Sequence, residues 1–370
     1  MKIALIGPFP PYRGGISMFN FSLAKELQKY HEIYKISFSL QYPKIFFPGK
    51  SQKSSFKDND SIEIINSINP FSWSKVASYI NMISPELVIF QYWMPFFAPA
   101  FTSIAKKIKK GTNPKIIVNC NNIIPHEPRK IDSILTRNFF KQCDSFIVMS
   151  DTVEKDLLNI NSKSIYRKTP HPVYDVFGKT VSKDEARKVL KIGNERLILN
   201  FGLVRHYKGL DILIKSAKIL KKQLDEFKIM VVGECYENES KYIQMAKDNN
   251  VEDVIDFNFE FIPNENVKHF FCASDLVVLP YKRATQSGII PIAYHFNKPV
   301  VVSNVGGLPE NIEDTKTGII CEPNPESITN GILNYFDSDM FSYKENIKEY
   351  KKQYTWKTFT KKIMELVELY

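Results

Sequence analysis

Cysteine is scarce in this chain of 370 residues: five, at Cys120, Cys143, Cys235, Cys272 and Cys321, with no Cys-x-x-Cys among them. An odd number at wide spacing excludes a disulfide framework and points to reduced thiols in a cytosol. The six histidines are equally scattered, with no His-Glu-x-x-His, so no metal is expected. Long apolar runs are missing as well. The most lipid-like stretch, 92–101, is ten residues long and holds two prolines, which is too short to cross a bilayer. The opening MKIALIGPFPPY lacks the apolar stretch of a secretory signal, and secretion is not expected. Low-complexity segments and repeats of about 20 to 50 residues are absent, which excludes solenoids and arrays. Gly-x-Gly-x-x-Gly is also missing. Phe9 and Tyr12 stand where its glycines would fall in GPFPPYRGGIS, and Pro8, Pro10 and Pro11 stiffen the loop, which disfavours a dinucleotide.

What the chain has in excess is positive charge. A formal net charge of +10 calls for a polyanionic partner, whether nucleic acid, anionic lipid or a phosphorylated small molecule. No RNA- or DNA-binding signature accompanies it, so nucleic acid is not expected. The apolar share of 44% and charged share of 24% are those of a globular protein, and at roughly 150 residues per domain the length suggests two domains. Strand-like runs alternate with amphipathic helical patterns: 3–6 then 16–29, 87–91 then 97–110, then 116–119 and 145–149. Between Lys168 and Lys183 the pattern breaks at KTPHPVYDVFGKTVSK, and a second series follows at 197–201, 212–220, 229–232, 254–257, 276–279 and 300–303, with helices from Pro325 onward. This alternation predicts an α/β fold of two doubly wound, Rossmann-like domains, 1–172 and 173–353, whose ligands lie beyond the carboxyl ends of the strands. In the tail, Trp356, Phe359, Ile363, Leu366, Val367 and Tyr370 form a one-sided helical stripe.

Several strand ends carry chemistry. Thr285, Gln286, Ser287 and Gly288 fall between a buried strand and an apolar helix with Pro291 in its first turn, a place where free amides and a positive helix end attract an anion. Gly306-Gly307 follow the next strand, where missing side chains let a ligand reach the main chain. Gly14-Gly15 open a helix in the first domain in the same way. In FGLVRHYKGLDILI, Arg205 and Lys208 sit just before a helix whose dipole they oppose, an arrangement that an intervening diphosphate would make favourable. Gly233-Glu234 end a further strand, where the carboxylate would accept hydrogen bonds from sugar hydroxyls.

In this order, GPFPPYRGGIS, FGLVRHYKGLDILI, VVGE and ATQSGIIPIAYHFNKPVVVSNVGGLPE resemble the retaining glycosyltransferases of the GT-B fold, glycosyltransferase family 4, over nearly the whole chain. The resemblance implies two Rossmann-like domains facing a cleft, with a C-terminal helix, 354–370, crossing back to the first. It implies metal-independent transfer of a sugar from a nucleotide diphosphate donor, UDP- or GDP-linked, with no cofactor. Arg205 and Lys208 would hold the diphosphate and act in catalysis. Ser287 and Gly288 would donate amides, Gly14 and Gly15 would close over the phosphates, and Gly202, Gly233, Glu234, Thr285, Gln286 and Glu310 would complete the donor site. The first domain would bind the acceptor, with Tyr12, Arg13, Tyr92, Trp93 and Asn121 as candidate contacts. Two departures stand out. Ala284 and Ile292 occupy positions where many members carry glutamates, and Asn121 stands where many carry a histidine, leaving His126 to take its place near the reacting centre.

The aromatic run 91–101, followed by Lys106, Lys107, Lys109 and Lys110, suits a bilayer interface, or else packs internally while the lysines favour a helix C-terminus. The reading that results is a cytoplasmic enzyme, peripheral on the inner face of the membrane, that builds a surface polysaccharide or glycolipid on a lipid-linked acceptor. A catalytically silent nucleotide-sugar or polyanion binder is the alternative.

Overall fold

The computed structural model describes the chain except residues 48, 126–128, 311 and 370. It divides into two compact units, Met1–Pro172 with Thr355–Tyr370, and Val173–Tyr354.

The first unit runs β1 (Lys2–Ile6), α1 (Gly15–Leu27), β2 (Glu32–Leu40), β3 (Ser61–Asn66), α2 (Pro70–Ile83), β4 (Leu87–Tyr92), α3 (Ala98–Lys110), β5 (Lys115–Cys120), α4 (Lys130–Phe140), β6 (Ser145–Val148), α5 (Asp151–Ile160) and β7 (Tyr166–Lys168). All pairings are parallel, in the order β3-β2-β1-β4-β5-β6-β7. Right-handed crossovers put α1 on one face and α2 to α5 on the other, because the chain reverses its direction of travel across the sheet after β3. The α1 face therefore has no local helix over β6 and β7. The tail helix of the chain, Trp356–Val367, packs there, against α1, β6 and β7. Its Trp356 and Phe359 rings meet Phe19 of α1 edge-on at 5.0 and 5.4 Å, and Arg167 on β7 pairs with Glu365 at 3.2 Å. Buried Trp356, Phe359, Ile363 and Leu366 form the stripe; Tyr370 lies outside the described residues.

The second unit opens with α6 (Lys183–Leu190) and continues β8 (Arg196–Phe201), α7 (Leu210–Leu220), β9 (Phe227–Val232), α8 (Glu239–Asp248), β10 (Ile255–Asn258), α9 (Asn264–Ala273), β11 (Leu276–Leu279), α10 (Ile289–His295), β12 (Val300–Ser303), α11 (Ile312–Thr315), β13 (Gly318–Cys321), α12 (Pro325–Asp337) and α13 (Met340–Gln353); the tail helix is α14. Its sheet is again parallel, ordered β10-β9-β8-β11-β12-β13. The chain steps outward from β8 to β10 and then returns to the far side of β8. That makes the gap between β8 and β11 a topological switch point, where loops diverge and ligands bind in doubly wound sheets.

Candidate active site

The loops after β8 and β11 flank that switch point, and the sequence loads both with the residues singled out above. Gly202 ends β8 with φ 116°, a conformation open to glycine, and its amide donates to the Val232 carbonyl at 2.9 Å. A side chain built on Gly202 would press on Ile289 and on the Lys208 Nζ, each 3.2 Å away, so the Lys208 ammonium lies over the bare backbone at the strand end. Beyond it, a short 3₁₀ turn, His206–Lys208, leads through Gly209 into α7. Gly209 has φ 69° and packs so closely on the Pro280 carbonyl that only glycine fits.

Arg205 and Lys208 are each held over an aromatic ring. The Arg205 guanidinium lies 4.8 Å from the Tyr236 centroid and the Lys208 Nζ 5.1 Å from that of Tyr281. Among the described residues neither makes an ion pair; the loop's acid, Asp211, is taken by Lys282 at 2.8 Å. Burial holds the Lys208 ammonium below the ordinary lysine range; nearby Tyr207 opposes this and the Arg205 charge adds to it. Two adjacent cations on π faces, one partly desolvated, form a site that favours a dianion. The rings of Tyr236 and Tyr281 escaped the sequence reading, although Tyr281 stands directly after the Leu276–Leu279 strand and its proline.

On the facing loop, Ser287 Oγ accepts from the Ile289 amide at 3.2 Å and lies 3.4 Å from the Tyr281 hydroxyl. The helix expected there is short, Ile289–His295, and Ser287 satisfies one of its first amides. A Cβ on Gly288 would meet nothing within 4 Å, so that stretch of backbone is open to a ligand. Thr285 and Gln286 are partly buried on the same loop. Gly306, with φ 53°, packs directly on the Ala284 carbonyl, which stacks the glycine pair against this loop. Glu310 lies a turn beyond, partly buried. Ala284 and Ile292, at the glutamate positions, are buried and offer no polar contact from their side chains.

Two donor-site expectations change. Gly233 does not leave space for a ligand: at φ 136° its α-carbon packs against the Gly202 carbonyl, joining the loops after β8 and β9. Glu234 is 3% exposed, and its carbonyl accepts from the Val204 amide at 3.0 Å; its side chain is turned inward rather than presented to sugar hydroxyls.

In the first unit, the loop after β1 is zipped to residues 52–58: Arg13 N donates to Gln52 O at 2.9 Å, Ser54 N to Pro11 O at 2.7 Å and Asp58 N to Pro10 O at 3.1 Å. A buried Lys35–Asp58 ion pair at 2.9 Å anchors that segment to β2. Gly14, φ 107°, precedes α1 and would meet nothing with an added Cβ, and Gly15 begins the helix, so the main chain at 14 is open. Arg13 is partly buried, its Nη1 3.4 Å from the Ser51 carbonyl. Tyr12 is turned inward, edge-on to Phe38, and burial raises its phenol to about 12. Tyr92 and Trp93 are corrected outright. Tyr92 is 0% exposed, stacked on Phe139 and hydrogen-bonded to Thr136 at 2.7 Å; Trp93 is 8% exposed, over Phe97, with its indole N–H donating to the Tyr42 hydroxyl at 3.0 Å. Both are core, as are Phe97 and Phe101, so this run offers neither an acceptor wall nor an interfacial belt. Asn121 is 8% exposed at the end of β5, its amide donating to the Tyr92 carbonyl at 2.8 Å. His126 lies outside the described residues. Among the described residues no three His, Cys, Asp or Glu side chains are grouped to hold a metal ion.

The family described as "Glycosyl transferases group 1" matches residues 182–354. An uncharacterized glycosyltransferase of Haemophilus influenzae is 30% identical over 139 residues, 37% of this chain and 38% of that protein. A glycogen synthase of Thermus thermophilus is 26% identical over 199 residues, 52% of this chain and 43% of the enzyme. The chain thus spans less than half the length of these two relatives. Among solved structures, sucrose-phosphate synthase from Thermosynechococcus elongatus superposes with a TM-score of 0.78 at 16% identity, covering 100% of this chain and 98% of that one. Anabaena Alr3699/HepE in complex with UDP gives 0.78 at 16%, covering 100% of both. Residues 182–354 thus match the group 1 glycosyltransferase family, and the chain shares the two-domain fold of these solved structures.

Proposed function

We propose that the protein is a retaining, metal-independent glycosyltransferase that moves a sugar from a nucleotide diphosphate donor to a lipid-linked saccharide acceptor in surface polysaccharide or glycolipid synthesis. The observation that carries this reading is the pair Arg205 and Lys208 at the switch point, held on Tyr236 and Tyr281 and, among the described residues, without a carboxylate partner. In the reaction the bond from the anomeric carbon to the diphosphate oxygen breaks and a bond to the acceptor oxygen forms on the same face. The acceptor's proton passes to the departing diphosphate oxygen. The protein's task is then to stabilise the dianion that develops, and fixed cations beside the open main chain at Gly288 would do so without reorganisation. Anabaena Alr3699/HepE was solved with UDP, which makes UDP the first donor base to test, ahead of GDP. A cytoplasmic site at the inner membrane face, Gly14-Gly15 as a phosphate lid and acceptor binding by the first unit belong to the same reading.

Arg205→Ala and Lys208→Ala should each lower turnover on the order of 10²-fold, comparable to losing one preorganised donor. Steady-state rates with UDP- and GDP-sugars check this, and near-normal turnover in both variants would defeat the assignment. The buried Ala284 and Ile292 favour a second reading, a nucleotide-sugar or polyanion binder without turnover. Thermal shift with UDP but no donor hydrolysis or transfer across a donor panel would establish that reading instead.

A further inference from the structure

We infer that Tyr281 is a positioning residue for the proposed transfer, its ring face holding the Lys208 ammonium charged and aimed at the diphosphate without neutralising it. This role rests on the function proposed above and is exerted through Lys208. That lysine faces an electrostatic difficulty. Its ammonium is partly withdrawn from water, which disfavours the charge, and the Arg205 guanidinium nearby disfavours it further. A buried cation ordinarily recovers this loss from a carboxylate. Among the described residues Lys208 has none, since Asp211, the acid of that turn, is paired with Lys282 at 2.8 Å. In its place stands the Tyr281 ring, with its centroid 5.1 Å from the Lys208 Nζ. Such a contact contributes most where water is excluded, and Tyr281 is 2% exposed. Burial raises its phenol to about 12, so the side chain stays neutral and attracts the cation through its ring face, not as a phenolate.

A ring in place of a carboxylate matters for an anionic ligand. A carboxylate on Lys208 would cancel the charge and have to be displaced by the incoming diphosphate, whereas the ring leaves the unit charge in place. Another neighbour of Nζ is the bare backbone of Gly202, where an added Cβ would stand 3.2 Å away, so a ligand reaching the end of β8 meets the ammonium directly. Tyr281 also touches the facing loop. Its hydroxyl lies 3.4 Å from Ser287 Oγ, which accepts from the Ile289 amide at 3.2 Å. One buried side chain thus ties the cationic turn after β8 to the loop whose main chain is open at Gly288. The Tyr207 ring, edge-on at 6.3 Å, packs beside it. Tyr236, under Arg205, is partly exposed, where a contact of the same kind contributes less.

The decisive experiment places at position 281 phenylalanine and then phenylalanine rings bearing one, two and three fluorines, which keep the shape of the ring while draining the negative charge of its face. Tyr281→Phe should weaken binding of UDP or GDP, whichever nucleotide the protein takes, by about threefold at most, the value of one weak hydrogen bond. Successive fluorines should then lower affinity and kcat stepwise, by roughly tenfold across the series, as for a partly desolvated cation over a ring. kcat should fall more than KM rises, because the charge on the leaving diphosphate grows in the transition state. On a Lys208→Met background the same series should be flat. Matching melting curves show that every form is folded. A flat series in the parent, or equal slopes in the parent and in Lys208→Met, reduces Tyr281 to packing and overturns the proposal. Titration calorimetry with UDP and GDP reads binding without turnover. A flat series with nucleotide binding intact therefore removes Tyr281 alone, whereas binding of neither nucleotide by the parent protein defeats the diphosphate clamp itself.

Discussion

His171 sits among the rings of Phe19 and Trp356, at 5.0 and 6.5 Å, and its Nδ1–H donates to the Pro172 carbonyl at 2.7 Å. Burial lowers its pKa from 6.5 to about 4, so the folded protein keeps the ring neutral where the unfolded chain would protonate it. The unfolded state therefore binds more protons between these values, and stability is full above pH 6.5 and lost as pH falls toward 4. At 1.36 kcal/mol per unit, the loss from pH 7.5 to 5.0 is about 2 kcal/mol from this residue. Asp156, raised by burial to about 6, titrates in the same window with the opposite sign. The comparison that isolates His171 is thus between wild type and His171→Gln: urea unfolding at the two pH values should show a loss in wild type about 2 kcal/mol larger than in the variant. Equal losses would remove the buried histidine from the account.

At the scale of elements, the loop after β8 is fixed to the loop after β11 by more than packing. Lys282 N donates to the Tyr207 carbonyl at 2.7 Å and Lys282 Nζ reaches Asp211, on the first turn of α7, at 2.8 Å. Asp211 also offsets two cations ahead of a helix N-terminus. Because the pair is half-buried, its own contribution to stability is about 1 kcal/mol or less. Its effect should be kinetic: Lys282→Met or Asp211→Asn lets the Arg205–Lys208 turn drift and should cut kcat/KM for the donor roughly tenfold or more while the melting temperature hardly moves. The exchanged pair Lys282→Asp with Asp211→Lys should recover part of that loss, and no recovery would reduce the bridge to a surface contact. The strand ends that hold this turn were legible in the sequence, since β11 is an unbroken apolar run, β8 and β12 are apolar but for Arg196, Asn200 and Ser303, and glycine, proline or asparagine follows each. β2 and β3 were not: Lys35 stands in the middle of β2 and reads as solvated until Asp58, 23 residues on, neutralises it in the interior. β13 escaped because Gly-Ile-Ile-Cys is short and half-buried at the sheet edge. Tyr92 and Trp93 misled for the converse reason, since an aromatic run beside lysines gives no sign of which residues face Phe139 and Phe97 until the helices are packed.

For the whole molecule, the consequence of the fold is that the first unit is built from two distant stretches, Met1–Pro172 and Thr355–Tyr370. The alternating pattern showed two sheets, and the apolar stripe on the tail marked a helix without naming its partner; the crossing back to the first domain came only from the family resemblance, not from the residues themselves. The topology names that partner: right-handed crossovers leave the α1 face bare over β6 and β7, and α14 covers it. Trp356, Phe359, Ile363 and Leu366 are buried there, and at 1.5–3 kcal/mol each the contact contributes about 6–12 kcal/mol, as large as the stability of a typical domain. A fragment ending at residue 172 should then lack a cooperative thermal transition and bind a hydrophobic dye. Adding a peptide of residues 355–370 should restore the transition, with saturation at a molar ratio of one. Phe359→Ala in the peptide, which opens a cavity costing about 3–5 kcal/mol, should abolish the rescue. A fragment that melts cooperatively at the same temperature with and without the peptide would mean that the α1 face needs no cover, and that the tail's place in the first unit is incidental to its folding.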